Sequence, residues 1–455
     1  MKTLKIAAAL DSFKGSLSSR EAGEAVRRGV LSRFPDAEVT VCPVGDGGEG
    51  TADALLSALD AERRTVTVSD THGDPVEAEF GLYKRTGVLT AVFDMASCCG
   101  LRFARAHDLD YMHSTTRGVG EMIRHAVRLG CGEIVVGLGG SGTGDGGIGA
   151  LSSLGVRFAD ASGRPIVDPR TVDLGTVGAA DFSGLILPES VKLTLLCDTG
   201  IGLTGPGGAV RMYGRQKGAR EEDLLTLDAA MEQYADVCDR TVRMRYSRIS
   251  GTGAAGGLGY GLTLAGGKIV QGAPYGLRAV GFEDAAASFD LVVTGEGRTD
   301  GQTATGKLPM AVTCAVRQAG GSCQVVCLCG IDDSVPALYE AGLDAVFALF
   351  DLFQDRLGRG AVGFADDDLT GGLGIAFGVV GHALRSRSER GLDRVRQFFG
   401  GRRRHGGLIV RRDNDLAVDL SVAALGEDER IGNDRSALAA FGVLFCFRVL
   451  LFRLG

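Results

Sequence analysis

Residues 4–44 read LKIAAALDSFKGSLSSREAGEAVRRGVLSRFPDAEVTVCPV, and this stretch decides the fold. Residues 4–10 form an apolar run of strand length, as suits a parallel strand covered on both faces. Ser18 and Glu21 stand three apart, the spacing of a capping box at a helix start. Ala22, Val26, Val30 and Phe34 then recur at helical spacing, and Pro35 follows the last turn. Residues 38–44 are a second strand. Strand, helix and strand in this order make a βαβ unit, the seed of a parallel sheet.

Working outward, the pattern changes and then returns. Residues 75–82 and 88–95 read as short strands, with Arg85-Thr86-Gly87 in the turn. A helix is expected over 117–129, ended by Gly130 in a left-handed conformation. Residues 133–138 and 191–197 read as buried strands, and 221–237 as a helix. Strand 291–294, helix 307–318, strand 324–329, helix 334–340 and strand 345–349 restore the alternating order. The expected fold class is α/β, with residues 1–70 and 275–350 forming one discontinuous parallel-sheet domain. Residues 71–274 form a second domain inserted into it. Beyond about 350 the periodicity is lost: Gly, Arg and Asp scatter over 356–374, and Arg402-Arg403-Arg404-His405 interrupts the rest.

Composition narrows the function classes. The chain has 455 residues, 45% hydrophobic and 23% charged, with net charge -7, as an ordinary globular protein does. That balance argues against a nucleic-acid binder, which needs a basic face. The 71 glycines follow no G-X-Y period and cluster in short loops beside apolar strands. There a backbone must turn tightly or approach a ligand closely. The 11 cysteines show no zinc spacing and read as buried reduced thiols. With no apolar leader at the start, the expected location is the cytoplasm. Residues 441–455 are apolar but short for a span and broken by Arg448 and Arg453, so no membrane partner is expected.

The chemistry sits in glycine-plus-acid loops. Asp11 and Lys14 leave the first strand and open the first helix, where α/β sheets bind ligands and helix N–H groups meet anions. Asp46, Gly47, Gly48 and Glu49 follow the second strand in the same way. Residues 137–147 (GLGGSGTGDGG) hold Gly139, Gly140 and Ser141, a run able to turn several N–H groups toward an anion, and Asp145, a Mg²⁺ candidate. No Gly-Lys-Ser/Thr follows, so this is not a P-loop. Asp198 ends the strand 191–197, as a candidate base or metal ligand. Arg211, Arg215 and Lys217 lie among glycines, either to bind a carboxylate or phosphate or as a solvated basic loop. Residues 251–261 (GTGAAGGLGYG) read best as a tightly packed small-residue helix. The densest stretch is 294–309 (TGEGRTDGQTATGKLP), with Gly295, Glu296, Arg298, Asp300, Gln302 and Lys307 in one loop and the start of a helix. Its acids suit Mg²⁺, and its cations suit a transferring phosphoryl group. No zinc His pair, hydrolase elbow or dinucleotide fingerprint is present.

The order DSFKGS, VGDGGEGT, TTRGVGE, GGSGTGDGG, CDT…GPGGA…GRQKGA, GAAGGLGYG and TGEGRTDGQTATGK resembles the bacterial type-1 glycerate kinase family, over about residues 4–349. The resemblance implies a flavodoxin-like (Rossmann-like) parallel-sheet domain carrying a second, inserted α/β domain. It implies ATP and Mg²⁺ as cofactors and D-glycerate as substrate, giving phosphoglycerate, usually the 2-phospho isomer. Asp46 or Asp198 is then the expected base. Asp145, Glu296 and Asp300 are the metal candidates. Lys14, Arg298 and Lys307 would neutralise phosphoryl or carboxylate charge. Asp11, Gly47, Gly48, Glu49, Gly139, Gly140, Ser141, Lys217, Gly295 and Gln302 complete the binding set. A homodimer is left open, and so are a kinase for another small hydroxy acid and an inactive ligand-binding protein. The chain departs from the family at Gly144 and over Thr199-Gly200-Ile201-Gly202. Residues 351–455 form an atypical tail without family resemblance, and a shifted reading frame or a false gene end is the expectation for it.

Overall fold

The computed structural model describes residues 3–13, 16–59, 61–85, 87–320, 323–333 and 336–349. Lys14, the start of the helix expected at 334 and the tail 351–455 lie outside these residues. The described residues form two compact units. One comprises those up to Val44 and those from Leu277 onward; the other is Gly45–Gly276.

The first unit is a five-stranded sheet. Its strand order is Glu38–Val41, Lys5–Leu10, Leu291–Thr299, Gln324–Asp332, Ala345–Ala348. Every neighbouring pair is parallel. Ile6, Ala8, Leu10, Val293, Val326 and Leu328 share one apolar cluster with Val26 and Val30 of the helix Ser19–Arg33. That helix begins as its sequence dictates. Ser18 Oγ accepts from Glu21 N, and Glu21 returns its carboxylate to Ser18 N at 2.8 Å. Gly23 lies against the sheet, where a Cβ would come 2.5 Å from Val41 Cγ1. The second strand stops at Val41, short of the expected residue 44. Pro43 has no N–H to donate to a ladder, and Val44 N donates instead to Ser19 Oγ at 2.9 Å.

The strand Leu291–Thr299 is more than twice its expected length. The glycine-acid stretch continues the ladder: Glu296 lies opposite Cys329 and Arg298 opposite Ile331. Gly295 is required there, since a Cβ would fall 2.1 Å from the Leu328 carbonyl oxygen. The helix that follows is Leu308–Gln318, with Lys307 at its N-cap.

The second unit holds a six-stranded mixed sheet in the order Lys268–Gln271, Lys192–Cys197, Glu133–Gly137, Val88–Asp94, Pro75–Arg85, Glu62–Ser69. The first four run parallel, Pro75–Arg85 runs antiparallel to them, and Glu62–Ser69 is antiparallel to Pro75–Arg85. Glu62–Ser69 pairs with Pro75–Arg85, and both strands belong to the unit Gly45–Gly276. A small antiparallel sheet joins Arg157–Asp160 to Pro165–Ile166 and Val177–Asp181. The core gathers Phe93, Ile134, Val136, Ile123, Ile148 and Leu151 with Tyr234 and Tyr260, whose rings meet edge-on at 5.8 Å. The helix Arg117–Arg128 forms as read, and Gly130 follows with φ of 77°. Residues 251–261 are not one helix. Ala255 and Gly256 turn left-handed before the helix Leu258–Leu264. Among the described residues no helix is long and apolar enough to cross a membrane. The ten described cysteines are free, nine of them buried.

Candidate functional site

In the first unit the acids stand at the carboxyl ends of the parallel strands, where such sheets present their loops. Asp11 N continues the ladder to Gly295 O at 2.9 Å, and Asp11 Oδ1 accepts from Ser12 N at 2.7 Å. Glu296 is buried, and Thr303 Oγ1 donates to its Oε1 at 2.6 Å. The same Thr303 oxygen accepts from Asp300 N at 3.0 Å, while Asp300 Oδ1 accepts from Gln302 N at 2.8 Å. One turn thus gathers Glu296, Asp300 and Gln302 around Thr303. Thr299 Oγ1 donates to Asp332 Oδ1 at 2.9 Å and ties the neighbouring strand to the same end. Arg298 points elsewhere. Its half-exposed guanidinium pairs with Asp333 at 2.8 Å, and that partner raises its pKa. Lys307, at the N-cap, makes no side-chain cap bond to the helix. Mg²⁺ takes oxygen ligands, so the carboxylates of Glu296 and Asp300, held on one turn, fit it by donor chemistry.

In the second unit two carboxylates converge on a bare Cα. Asp46 Oδ1 accepts from Gly48 N at 2.7 Å. A Cβ on Gly48 would lie 2.8 Å from that oxygen and 3.7 Å from Asp198 Oδ2. Gly47 has φ of 105°, donates to Thr51 Oγ1 at 2.9 Å, and has no room for a Cβ beside the Cys197 backbone. The loop after Glu133–Gly137 packs onto this one. A Cβ on Gly139 would fall 2.3 Å from Glu49 N, and one on Gly140 2.8 Å from Glu49 Oε2. Ser141 then receives Lys217 Nζ at 2.6 Å, and the same ammonium donates to Thr143 O at 2.8 Å. Asp46, Gly47, Gly48, Glu49, Asp198, Gly139, Gly140, Ser141 and Lys217 therefore form one continuous set. Burial pushes the Lys217 amine down to about 7, against the pull of Asp145. Arg211 and Arg215, by contrast, are exposed, and Arg215 pairs with Glu221 at the surface.

Asp145 does not fit the metal part expected of it. It is fully enclosed, and its oxygens accept from Thr116 N (2.7 Å), Thr116 Oγ1 (2.9 Å), Gly147 N (3.1 Å) and Gly149 N (3.1 Å). Burial raises its pKa, and those four donors oppose the rise. It anchors the start of the helix Ile148–Ser153 to residue 116. Sequence reading also passed over Thr303 and Asp94. Asp94 ends an apolar strand beside two glycine-acid loops, a usable signal; Thr303 carries none.

Both units are α/β and present glycine-backed acids at strand ends, with Lys307 at a helix N-cap in one and Lys217 bound to Ser141 in the other, the equipment of a small-molecule phosphotransferase. The glycerate kinase family model matches residues 6–357, and the chain belongs to that family and is an enzyme with kinase activity. It is 39% identical over 352 residues to a glycerate kinase of Bacillus subtilis (strain 168), covering 76% of this chain and 90% of that protein. It is 35% identical to a glycerate 2-kinase of Escherichia coli (strain K12), with the same coverages of 76% and 90%. A crystal structure assigned as glycerate kinase 2 from Salmonella typhimurium LT2 superposes with a TM-score of 0.67 at 35% identity, over 76% of this chain and 91% of that one.

Proposed function

We propose that the protein transfers the γ-phosphoryl group of ATP to a hydroxyl of D-glycerate, giving 2-phosphoglycerate and ADP. The observation that carries this reading is the convergence of Asp46 and Asp198 on Gly48, together with the activities named for the relatives. A carboxylate held at a substrate hydroxyl takes its proton as the oxygen attacks phosphorus and the bond to ADP breaks. Asp46 or Asp198 does this. Mg²⁺, when bound, neutralises charge on the phosphate oxygens, and Glu296 and Asp300 are the residues that would hold it. Lys307 stabilises charge on the transferring group and Lys14 adds to it, while Arg298 could join them only by leaving Asp333. Gly47 and Gly48 hold their own loop, their N–H groups taken by Thr51 and Asp46, while the loop 139–141 offers backbone N–H groups to the ligands. Lys217 acts by fixing Ser141 rather than as a free phosphate contact. The parallel unit is read as flavodoxin-like, because numbering its strands along the chain gives the order 2-1-3-4-5.

The test is ADP release by the full-length protein with ATP, Mg²⁺ and D-glycerate. A product that enolase alone converts to an enol phosphate is the 2-isomer. A need for a mutase first would reassign the hydroxyl. Faster turnover of another hydroxy acid in a substrate panel would reassign the substrate.

A further inference from the structure

The helix Thr51–Ala58 starts without a cap of its own. Gly50 precedes it in a left-handed conformation and offers no side chain. The first N–H groups of a helix have no partner inside it and need one from elsewhere. Asp94, at the end of the strand Val88–Asp94, supplies it. Its Oδ2 accepts from Gly50 N at 2.9 Å and its Oδ1 from Ala52 N at 3.1 Å. The neighbouring strand makes room: Gly137 lies opposite Asp94, and a Cβ there would fall 2.1 Å from Asp94 Oδ1. The loop before the helix is closed on itself by Gly48 N to Asp46, Gly47 N to Thr51 Oγ1, and Thr51 N to Gly48 O. The carboxylate of Asp94 thus grips the far end of the loop that carries Asp46.

We propose that Asp94 is a positioning residue for phosphotransfer, holding residues 46–50 in place through the N–H groups of Gly50 and Ala52. The inference rests on the reading that Asp46 serves the reaction. The charged groups that line the pocket with Asp94 are Glu49, Asp53, Arg63, Glu79 and Arg102. Arg63 is already bound to Asp53 and Glu79. Burial pushes the Asp94 carboxyl up to about 7. The Gly50 and Ala52 donors pull it down, and Glu49 and Asp53 push it further up. Only the ionised carboxylate offers both oxygens fully to two N–H donors, so the grip weakens as the pH falls below about 7.

The test uses full-length Asp94→Asn, which keeps the shape and turns one acceptor into a donor facing an N–H. Expected are normal circular dichroism, a kcat lower by roughly 10- to 100-fold as for misplaced catalytic groups, and faster hydrogen exchange over residues 46–56. The fall in kcat on acidification should also shrink relative to the parent protein. A folded variant with parental kcat, exchange and pH profile overturns the proposal. So does a variant that fails to fold, because Asp94 would then serve the stability of the sheet. Asp46→Asn is run beside it. If Asp46→Asn is inactive and Asp94→Asn is not, this inference alone fails; if Asp46→Asn is fully active, the reading of the loop fails first and this inference with it.

Discussion

Lys217 and Asp94 are two buried charges whose ionisation opposes folding in complementary pH ranges. The folded Lys217 amine titrates near 7, against 10.5 for an unburied one. Between those values the unfolded chain binds the extra proton, so stability rises with pH from about 7 toward 10.5 and is lowest below 7. Asp94 runs the other way. Its folded pKa lies near 7, above the ordinary 3.8, so its contribution is present below 3.8 and lost as pH rises through 7. Urea midpoints should accordingly be higher at pH 9.5 than at pH 7.5. Lys217→Met should abolish that rise, and a rise that persists in the variant would locate it elsewhere. The two acceptors of Lys217, Ser141 Oγ and the Thr143 carbonyl, would lose their donor, at about 1–3 kcal/mol for a buried group left unsatisfied. Lys307 is a different kind of lysine, half-buried at a helix start. Lys307→Ala should leave the thermal midpoint nearly unchanged and lower kcat by about 10²- to 10³-fold, as loss of a transition-state donor does. Parental turnover would remove it from the site.

At the scale of elements, the first helix tests how local chemistry sets the frame. Ser18→Ala removes a reciprocal cap, which should cost about 1 kcal/mol of stability with kcat unchanged, as read by chemical denaturation. A larger loss would mean that Ser18 also supports the Asp11 loop beside it. That cap was legible because both of its partners lie three residues apart. The apolar runs at 4–10, 133–138 and 324–329 were legible because buried parallel strands must be apolar on both faces. What escaped has a physical reason in each case. Residues 295–299 (GEGRT) carry no strand signal, yet they extend a ladder because Gln324–Asp332 runs on beside them. Glu62–Ser69 is exposed along most of its length, so its strand identity comes from its pairing partner rather than from burial. Asp46 and Asp145 both sit in Gly-Asp-Gly contexts, the one expected as a base and the other as a metal ligand. Thr116, distant in the chain, closes over Asp145, while Asp46 and Asp198 both lie beside the bare Cα of Gly48. Local spacing found the loops; which acid faces a ligand depends on contacts between segments remote in sequence.

At the scale of the whole chain, the family match ends at residue 357, and residues 358–455 lie beyond it. Every residue assigned a part in the reaction lies between Asp11 and Lys307. The last described strand, Ala345–Ala348, completes the parallel sheet at its edge beside Gln324–Asp332. The residues proposed for the reaction thus all precede that strand in the chain. A chain ending at residue 357 should release ADP with D-glycerate at a kcat within about a factor of two of the full-length protein, since it keeps the whole family-matched region and every residue placed in the reaction. Its thermal midpoint is the sensitive readout. A lower midpoint with unchanged kcat assigns the extra residues a part in stability alone, whereas a kcat lost from a protein that is folded by circular dichroism would mean that residues 358–455 bear on the reaction itself.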